Sequence, residues 1–335
     1  MIINKCFLFL TLFLVYTTGL YAEFKRFFYI GKLDNKYQIC FDIQIETNKI
    51  TGKYFYTNQS DFLWIDGKIE KDGQMSITEE TNEGKRTGLF KGTISKDFRT
   101  MEGFWSSQNN KKKLPFNLSR EAEYKQLKHE KYNAYVEYPS FCIDGNKEPA
   151  AIDEAIAKLA KRFYDSNVVY IESAIKEFGE SDGEETGKYS FSSNCSIRYS
   201  DEMIKSIFII HDSYTGGAHP NYYYTCSSYD NEGTEITLNS IIEMNEKSIK
   251  LLDKEITSIL RKKEADWVVD ESHPSFAEEL SKNEIPCVFT PAGIFFYFAP
   301  YVAGSYAQGS FVTLITYDKI KSIIKPDSQI KYLIK

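Results

Sequence analysis

The sequence predicts two differently built halves. Residues 23–119 read as an all-β meander, a small barrel or a sandwich, and residues 132–325 read as an α+β domain with an antiparallel sheet. Three observations lead there. Between Phe27 and Leu118, short strand-like runs recur about every ten residues with no helical period. After Pro149 the apolar spacing switches to that of a helix. From Tyr189 onward strand-like runs return with helical segments between them, the layering in which helices pack on one face of a sheet.

In the first half the strands read as Phe27–Leu33, Tyr37–Glu46, Ile50–Thr57, Phe62–Glu70, Gln74–Glu80, Gly88–Ser95, Met101–Ser107 and Leu114–Ser119. Alternation is clearest where Ile39, Phe41, Ile43 and Ile45 share one face. Turn formers separate the runs at Asp34-Asn35, Thr47-Asn48, Asp72-Gly73, Glu83-Gly84 and Lys96-Asp97. Gly52, Gly67, Gly92 and Gly103 lie within strand runs, where glycine marks a bulge or a close approach of backbones, as a strongly coiled small sheet requires. A closed barrel and an open sandwich both fit. The interior of such a barrel can hold a ligand or be filled by its own side chains.

Residues 120–131 are charged and polar and read as a linker or a short helix. Ile152, Ile156, Leu159 and Phe163 then recur at helical spacing, and Ile171, Ile175 and Phe178 continue a similar face up to Gly179. The acidic, glycine-bearing stretch 181–188 reads as an exposed loop. Strands follow at Tyr189–Tyr199, Met203–Ser213 and Tyr222–Tyr229. Asn245 caps a helix with Ile249, Leu252, Ile256, Ile259 and Leu260 on its apolar face. A short helical piece near Phe276–Leu280 and strands at Ile294–Phe298 and Phe311–Thr316 complete the domain, and residues 326–335 read as a tail.

The N-terminus carries Lys5, an apolar run from Cys6 to Val15, and then Leu20-Tyr21-Ala22, the layout of a secretory signal peptide over residues 1–22 with cleavage near Ala22. The run is shorter than the about 20 residues that span a bilayer, so no stable membrane span is expected after cleavage. The expected location is periplasmic or secreted. Cleavage removes Lys5 and no acid, which moves the net charge from −6 to −7. An acidic balance argues against nucleic acid, whose binding draws on clustered Lys and Arg, and permits a basic partner. Cys40, Cys142, Cys195, Cys226 and Cys287 remain, without a Cys-x-x-Cys pair, and their pairing is not readable from spacing.

Tyr214-Thr215-Gly216-Gly217-Ala218-His219-Pro220 is the most distinctive segment. Two adjacent glycines between strands suit a hairpin tip, and turn chemistry alone accounts for them; the sharper reading is a loop that turns backbone N–H groups and His219 toward a ligand. His211 and His219, eight residues apart, match no compact metal-ligand spacing, so no metal is implied. No nucleophile elbow, His-Glu-x-x-His, Walker loop or dinucleotide fingerprint is present. No catalytic residue and no cofactor are assigned, and the protein is expected not to be an enzyme. Tyr222-Tyr223-Tyr224 alternate across a strand and leave at least one ring facing solvent or a partner, although sheet propensity accounts for most of the aromatics.

Tyr214 to Pro220, then Ile236-Thr237-Leu238, Phe289 to Phe298, and Tyr301 with Gly304-Ser305-Tyr306-Ala307-Gln308-Gly309 together resemble one domain family. It is the extracytoplasmic domain of unknown function shared by RsiV-like lysozyme-sensing anti-sigma factors and PdaC-like peptidoglycan deacetylases. The likeness spans residues 130–325, with 132–178 similar to the companion region that usually precedes the domain, and leaves out residues 23–118. It implies an α+β fold outside the cytoplasm and, from one branch, binding of lysozyme. The chain lacks the sigma-binding segment and membrane span of the anti-sigma factor and the catalytic domain of the deacetylase.

The expectation is therefore an exported envelope binding protein that engages a protein, with a lysozyme-like muramidase as candidate, or a glycan. Tyr214, Thr215, Gly216, Gly217, His219, Tyr222, Tyr224, Tyr301 and Tyr306 are the candidate ligand-binding residues. Two alternatives stand beside it: an envelope glycan hydrolase or deacetylase acting near Tyr214–Pro220, and a small-ligand-binding barrel with a docking domain. A barrel filled by its own side chains would count against the last.

Overall fold

A computed structural model of the chain describes residues 24–59, 61–130, 132–142, 150–179, 189–215 and 218–334. The expected signal peptide lies outside them. Eight antiparallel strands come first: β1 (Phe24–Leu33), β2 (Tyr37–Glu46), β3 (Lys49–Tyr56), β4 (Phe62–Ile69), β5 (Gln74–Glu80), β6 (Arg86–Ile94), β7 (Thr100–Ser107) and β8 (Lys113–Lys128). Each pairs with the next and β8 returns to β1, so the meander closes into a barrel and is not a sandwich.

Closure follows from two features of the strands. Every second side chain points inward, and those positions carry Ile39, Phe41 and Ile43 on β2, Tyr54 on β3, Phe90 on β6 and Phe116 on β8. Phe90 sits at the centre, edge-on to Phe41, Tyr54 and Phe116 at 5.0, 5.3 and 5.3 Å. Such contacts add to the burial of large rings. Tight coiling brings neighbouring backbones together where Gly92 faces Gly103. A Cβ on Gly92 would stand 1.9 Å from the Glu102 carbonyl oxygen, so no larger residue fits. The interior is thus packed with the barrel's own side chains, which counts against a deep ligand chamber.

Residues 120–128 are neither linker nor helix. They continue β8, whose first part closes the barrel on β1 while its second part pairs with β9 (Asn133–Ser140). Glu121, one of the charges that suggested a linker, accepts from Lys205 of another strand at 2.6 Å, while Ala122 is fully buried. A register shift at Phe28/Tyr29 marks the place where β8 leaves the barrel.

The sheet runs on without a break as β9, β10 (Ser190–Ser200), β11 (Ile204–Tyr214) and β12 (Asn221–Asp230). Pairing is antiparallel except between β9 and β10, which are parallel. A parallel pair needs a crossover, and α1 (Ala150–Phe178) provides it as one 29-residue helix where the sequence showed two successive helical stretches. Ile152 and Ile156 on α1 pack against Ile197, Ile207 and Ile209 of the sheet.

After α2 (Leu238–Ile241) comes α3 (Glu246–Lys262), which begins as expected, with the Asn245 side chain accepting from the Ser248 amide. Leu252, Ile256 and Leu260 on α3 join Ile294, Phe296, Phe298 and Ile315 in one core. Those last residues belong to a second sheet of β13 (Cys287–Thr290), β14 (Gly293–Phe298) and β15 (Phe311–Ile315). Short helices α4 (Asp266–Val269), α5 (Ala277–Lys282) and α6 (Tyr317–Ile320) fill the connections. The stretch expected as a tail is packed: Ile330 and Leu333 enter the same core. The second sheet lies on the first where Tyr297 stacks on Phe208 at 4.2 Å.

One cation ties the two halves together. Arg26 of β1, 11% exposed, donates Nε and Nη2 to Asp42 of β2 at 2.8 and 2.7 Å, and Nη1 to Glu137 of β9. Its guanidinium also lies 4.0 Å over the Tyr124 ring of β8. Arg26 is the nearest cation to both buried carboxylates, with Lys53 4.0 Å from Asp42 and Gln126 donating to Glu137 at 3.1 Å, and loss of such a partner is costly. No helix among the described residues is long and apolar enough to cross a membrane.

Candidate functional site

Two loops meet at one end of the second half. One follows β11 and carries His219 into β12; the other joins β14 to β15 and carries Tyr301 and Tyr306. The His219 ring stacks on Tyr306 at 3.9 Å with an 18° tilt. Tyr222, the second residue of β12, lies 6.3 Å beyond Tyr306, and Tyr301 is 5.6 Å from Tyr306 and 6.3 Å from His219. Trp267 of α4 extends the group, 6.5 Å from Tyr301. Five rings thus gather on one surface from three separate segments.

Hydrogen bonds fix the arrangement. His219 Nδ1 donates to the Pro220 carbonyl at 2.9 Å, which leaves Nε2 to accept from the Tyr301 hydroxyl at 3.4 Å. The Tyr306 hydroxyl donates to the same Pro220 carbonyl at 3.3 Å. Gln308 stitches the second loop to α4 by accepting from the Asp266 amide at 2.9 Å and donating to the Glu264 carbonyl at 2.8 Å. The Trp267 amide donates to the Ala303 carbonyl at 3.3 Å.

Tyr301 is the unusual member. Its φ is +67°, a conformation costly for a bulky side chain, and the residue is 51% exposed. The turn around it imposes this, with the Tyr301 amide donating to Gly304 and the Val302 amide to Ala299. Val302, next to it in the chain, is exposed as well. Backbone strain held in place by its surroundings clusters at ligand-contacting surfaces, which makes Tyr301 a candidate contact.

Asp212 faces Tyr222 across the β11–β12 pair. Burial raises its carboxyl above the ordinary value, a shift that the bond from the Tyr222 hydroxyl opposes, and the same contact with burial raises the Tyr222 phenol. The surface therefore joins aromatic faces to a carboxyl and to imidazole and phenol groups, the composition that grips sugar rings or a protein side chain.

Of the nine residues singled out in the sequence, His219, Tyr222, Tyr301 and Tyr306 come together. Tyr224 does not. It lies on the same strand face as Tyr222 but further along, where the second sheet covers it and its ring packs on Phe208 at 5.1 Å. Tyr214 ends β11 opposite Ser190, and Thr215 is half-buried at the start of the loop. Gly216 and Gly217 lie outside the described residues. Asp212, Trp267 and Gln308 were not anticipated. Asp212 sits in a strand with nothing local to mark it, and Trp267 is distant in sequence from both loops.

His211 has a different role. It is fully buried, with Nδ1 2.8 Å from Ser193 Oγ and Nε2 2.8 Å from Thr225 Oγ1, and it stacks on Tyr223 at 4.3 Å. Burial holds its pKa down to about 4, so it stays neutral in the sheet. Among the described residues no three His, Cys, Asp or Glu side chains are placed to share a metal ion.

The fold and site describe a closed β-barrel joined to an α+β unit that carries a surface cluster of rings. Residues 126–222 match the family described as Deacetylase PdaC, and residues 239–318 match the family described as Protein of unknown function (DUF3298). The resemblance expected for the second half is thus borne out. His219 and Tyr222 fall in the first match, and Trp267, Tyr301 and Tyr306 in the second. The crystal structure of a DUF3298 family member from Bacteroides fragilis aligns with a TM-score of 0.38 at 16% identity, covering 63% of this chain and 97% of that one. A DUF3298 family protein from Pseudomonas aeruginosa aligns at 0.35 and 14%, covering 61% and 92%. No curated protein matches the chain.

Proposed function

We propose that the protein is an exported binding protein of the cell envelope, and that the rings of His219, Tyr222, Trp267, Tyr301 and Tyr306 engage its ligand, a protein or a glycan. The observation that carries this reading is Tyr301, half-exposed at a φ of +67° and held there by its own turn. A lysozyme-like muramidase is the named candidate. The family resemblance supports it, and so does charge: a processed chain at −7 attracts a basic protein over distance and speeds encounter more than it tightens the complex.

The test is to titrate the processed chain with a lysozyme and, separately, with soluble peptidoglycan fragments, at low and moderate salt. One of the two gives a saturable complex, which Tyr301→Ala and Tyr306→Ala each weaken at least about tenfold, as expected for central aromatic contacts. If lysozyme is the partner, added salt slows association and leaves dissociation nearly unchanged. Absence of a complex with either ligand at both salts removes the proposal. The rival reading, a glycan hydrolase or deacetylase at the same surface, finds its support in the family matched by residues 126–222. Release of acetate or of new reducing ends from the same fragments would favour it.

A further inference from the structure

The 12-stranded sheet has the closed barrel at one end and β12 at the other. β12 pairs with β11 along its whole length, from Asn221 to Asp230, without a register shift. Backbone groups along a strand turn alternately to its two sides. On the side away from β11, the Asp230 amide donates to the Thr234 carbonyl at 3.0 Å and the Ile236 amide donates to the Ser228 carbonyl at 2.6 Å. That returning segment covers only the end of the strand. Alternation sets the amides and carbonyls of Tyr222, Tyr224 and Cys226 on the same side, and among the described residues none of these groups has a hydrogen-bond partner.

An open edge is a template for another strand, and strands in that position ordinarily carry a lysine, a proline or a bulge that prevents pairing. β12 inverts the pattern. Each of β1 to β11 contains at least one Lys, Arg, Asp or Glu, whereas the first such residue in β12 is Asp230, its last. No proline and no bulge interrupts it. Tyr223, whose ring lies on His211 beside Phe163 of α1, is 43% exposed.

We propose that β12 pairs with β12 of a second copy of the chain, antiparallel and about a two-fold axis at Tyr224. Tyr224 then faces its own counterpart, Tyr222 faces the partner's Cys226, and each open amide meets a carbonyl. A row of alternating donors and acceptors at strand spacing is satisfied by another extended strand. A second copy suits it because the run from Asn221 to Tyr229 meets itself without setting any charge against its like, in a chain that is acidic as a whole. Such a contact uses the same patch on both subunits, so it closes at a dimer and does not grow into a filament. The dimer brings two ring clusters into one particle, but it does not depend on their binding anything and stands if that reading fails.

The experiment is sedimentation velocity of the processed chain over a concentration series, with amide hydrogen exchange read by NMR at its dilute and concentrated ends. A monomer–dimer equilibrium is expected, and Tyr223→Lys weakens it by about tenfold or more, because each edge strand then brings a lysine to the seam. Should that variant fold poorly, the unsubstituted chain still decides. The amides of Tyr222, Tyr224 and Cys226 exchange fast when dilute and slowly once the dimer forms, while those of Tyr223 and Thr225, turned toward β11, are slow throughout. A monomer at every concentration, a dimer whose three edge amides stay fast, unchanged association by a folded Tyr223→Lys, or protection gained only when lysozyme or peptidoglycan fragments are added would each overturn the assignment.

Discussion

The barrel and the α+β half use the same residue types in opposite ways. In the barrel, rings fall on alternate strand positions, so the pleat turns Phe41, Tyr54, Phe90 and Phe116 inward and they fill the interior. In the second half, His219, Tyr301 and Tyr306 sit beyond strand ends, where no pleat directs them, and two loops with a short helix hold them at the surface. The barrel rings are therefore packing, whereas Tyr301 in the ring cluster stays about half exposed. Abundance of Tyr and Phe does not separate the two groups of rings; their position relative to strand ends does.

Substitutions can break or sharpen that contrast. The largest effect is expected at the seam. Arg26→Ala leaves Glu137 buried without its cation and Asp42 with only Lys53 at 4.0 Å, and should cost about 3–5 kcal/mol, read from urea denaturation. Phe90→Ala opens a cavity at the barrel centre and should also cost about 3–5 kcal/mol, whereas Tyr306→Ala should cost about 1 kcal/mol or less and act on ligand binding instead. Equal destabilisation by the two would erase the distinction between the halves.

A smaller effect comes from His211. Its folded pKa of about 4 lies below the ordinary value of 6.5, so between those two pH values the unfolded chain binds a proton that the folded chain refuses. Stability should fall as pH drops through that window, by as much as about 3 kcal/mol at about 1.4 kcal/mol per unit. Denaturation at pH 7, 5.5 and 4 checks this, and His211→Gln should flatten the slope. Smallest is Tyr301→Gly. Glycine takes a positive φ without penalty, so stability should hold or rise by about 1 kcal/mol while ligand binding drops. A loss of stability at this position would show that the ring is structural.

Local features of the fold were legible in the sequence. The alternation of Ile39, Phe41, Ile43 and Ile45 and the turn at Asp34-Asn35, both at positive φ, depend only on neighbours along the chain. Closure by β1 on β8 and the parallel pairing of β9 with β10 are contacts between distant segments and left no local trace. Residues 120–128 misled because Glu121 reads as solvated until Lys205 is placed beside it. At the site, the loops bearing His219, Tyr301 and Tyr306 stood out through their glycines and rings. Asp212 acquires meaning only when register sets it opposite Tyr222, and Tyr224 loses its place because the second sheet covers it.

The most direct check on a ligand-binding ring cluster is the change in side-chain NMR signals of His219, Tyr301 and Trp267 when the processed chain meets a lysozyme or peptidoglycan fragments. Shifts concentrated on these residues, with Phe90 and Tyr54 in the barrel unmoved, are what the account predicts. Signals that stay still at the cluster while the partner demonstrably binds elsewhere would contradict it.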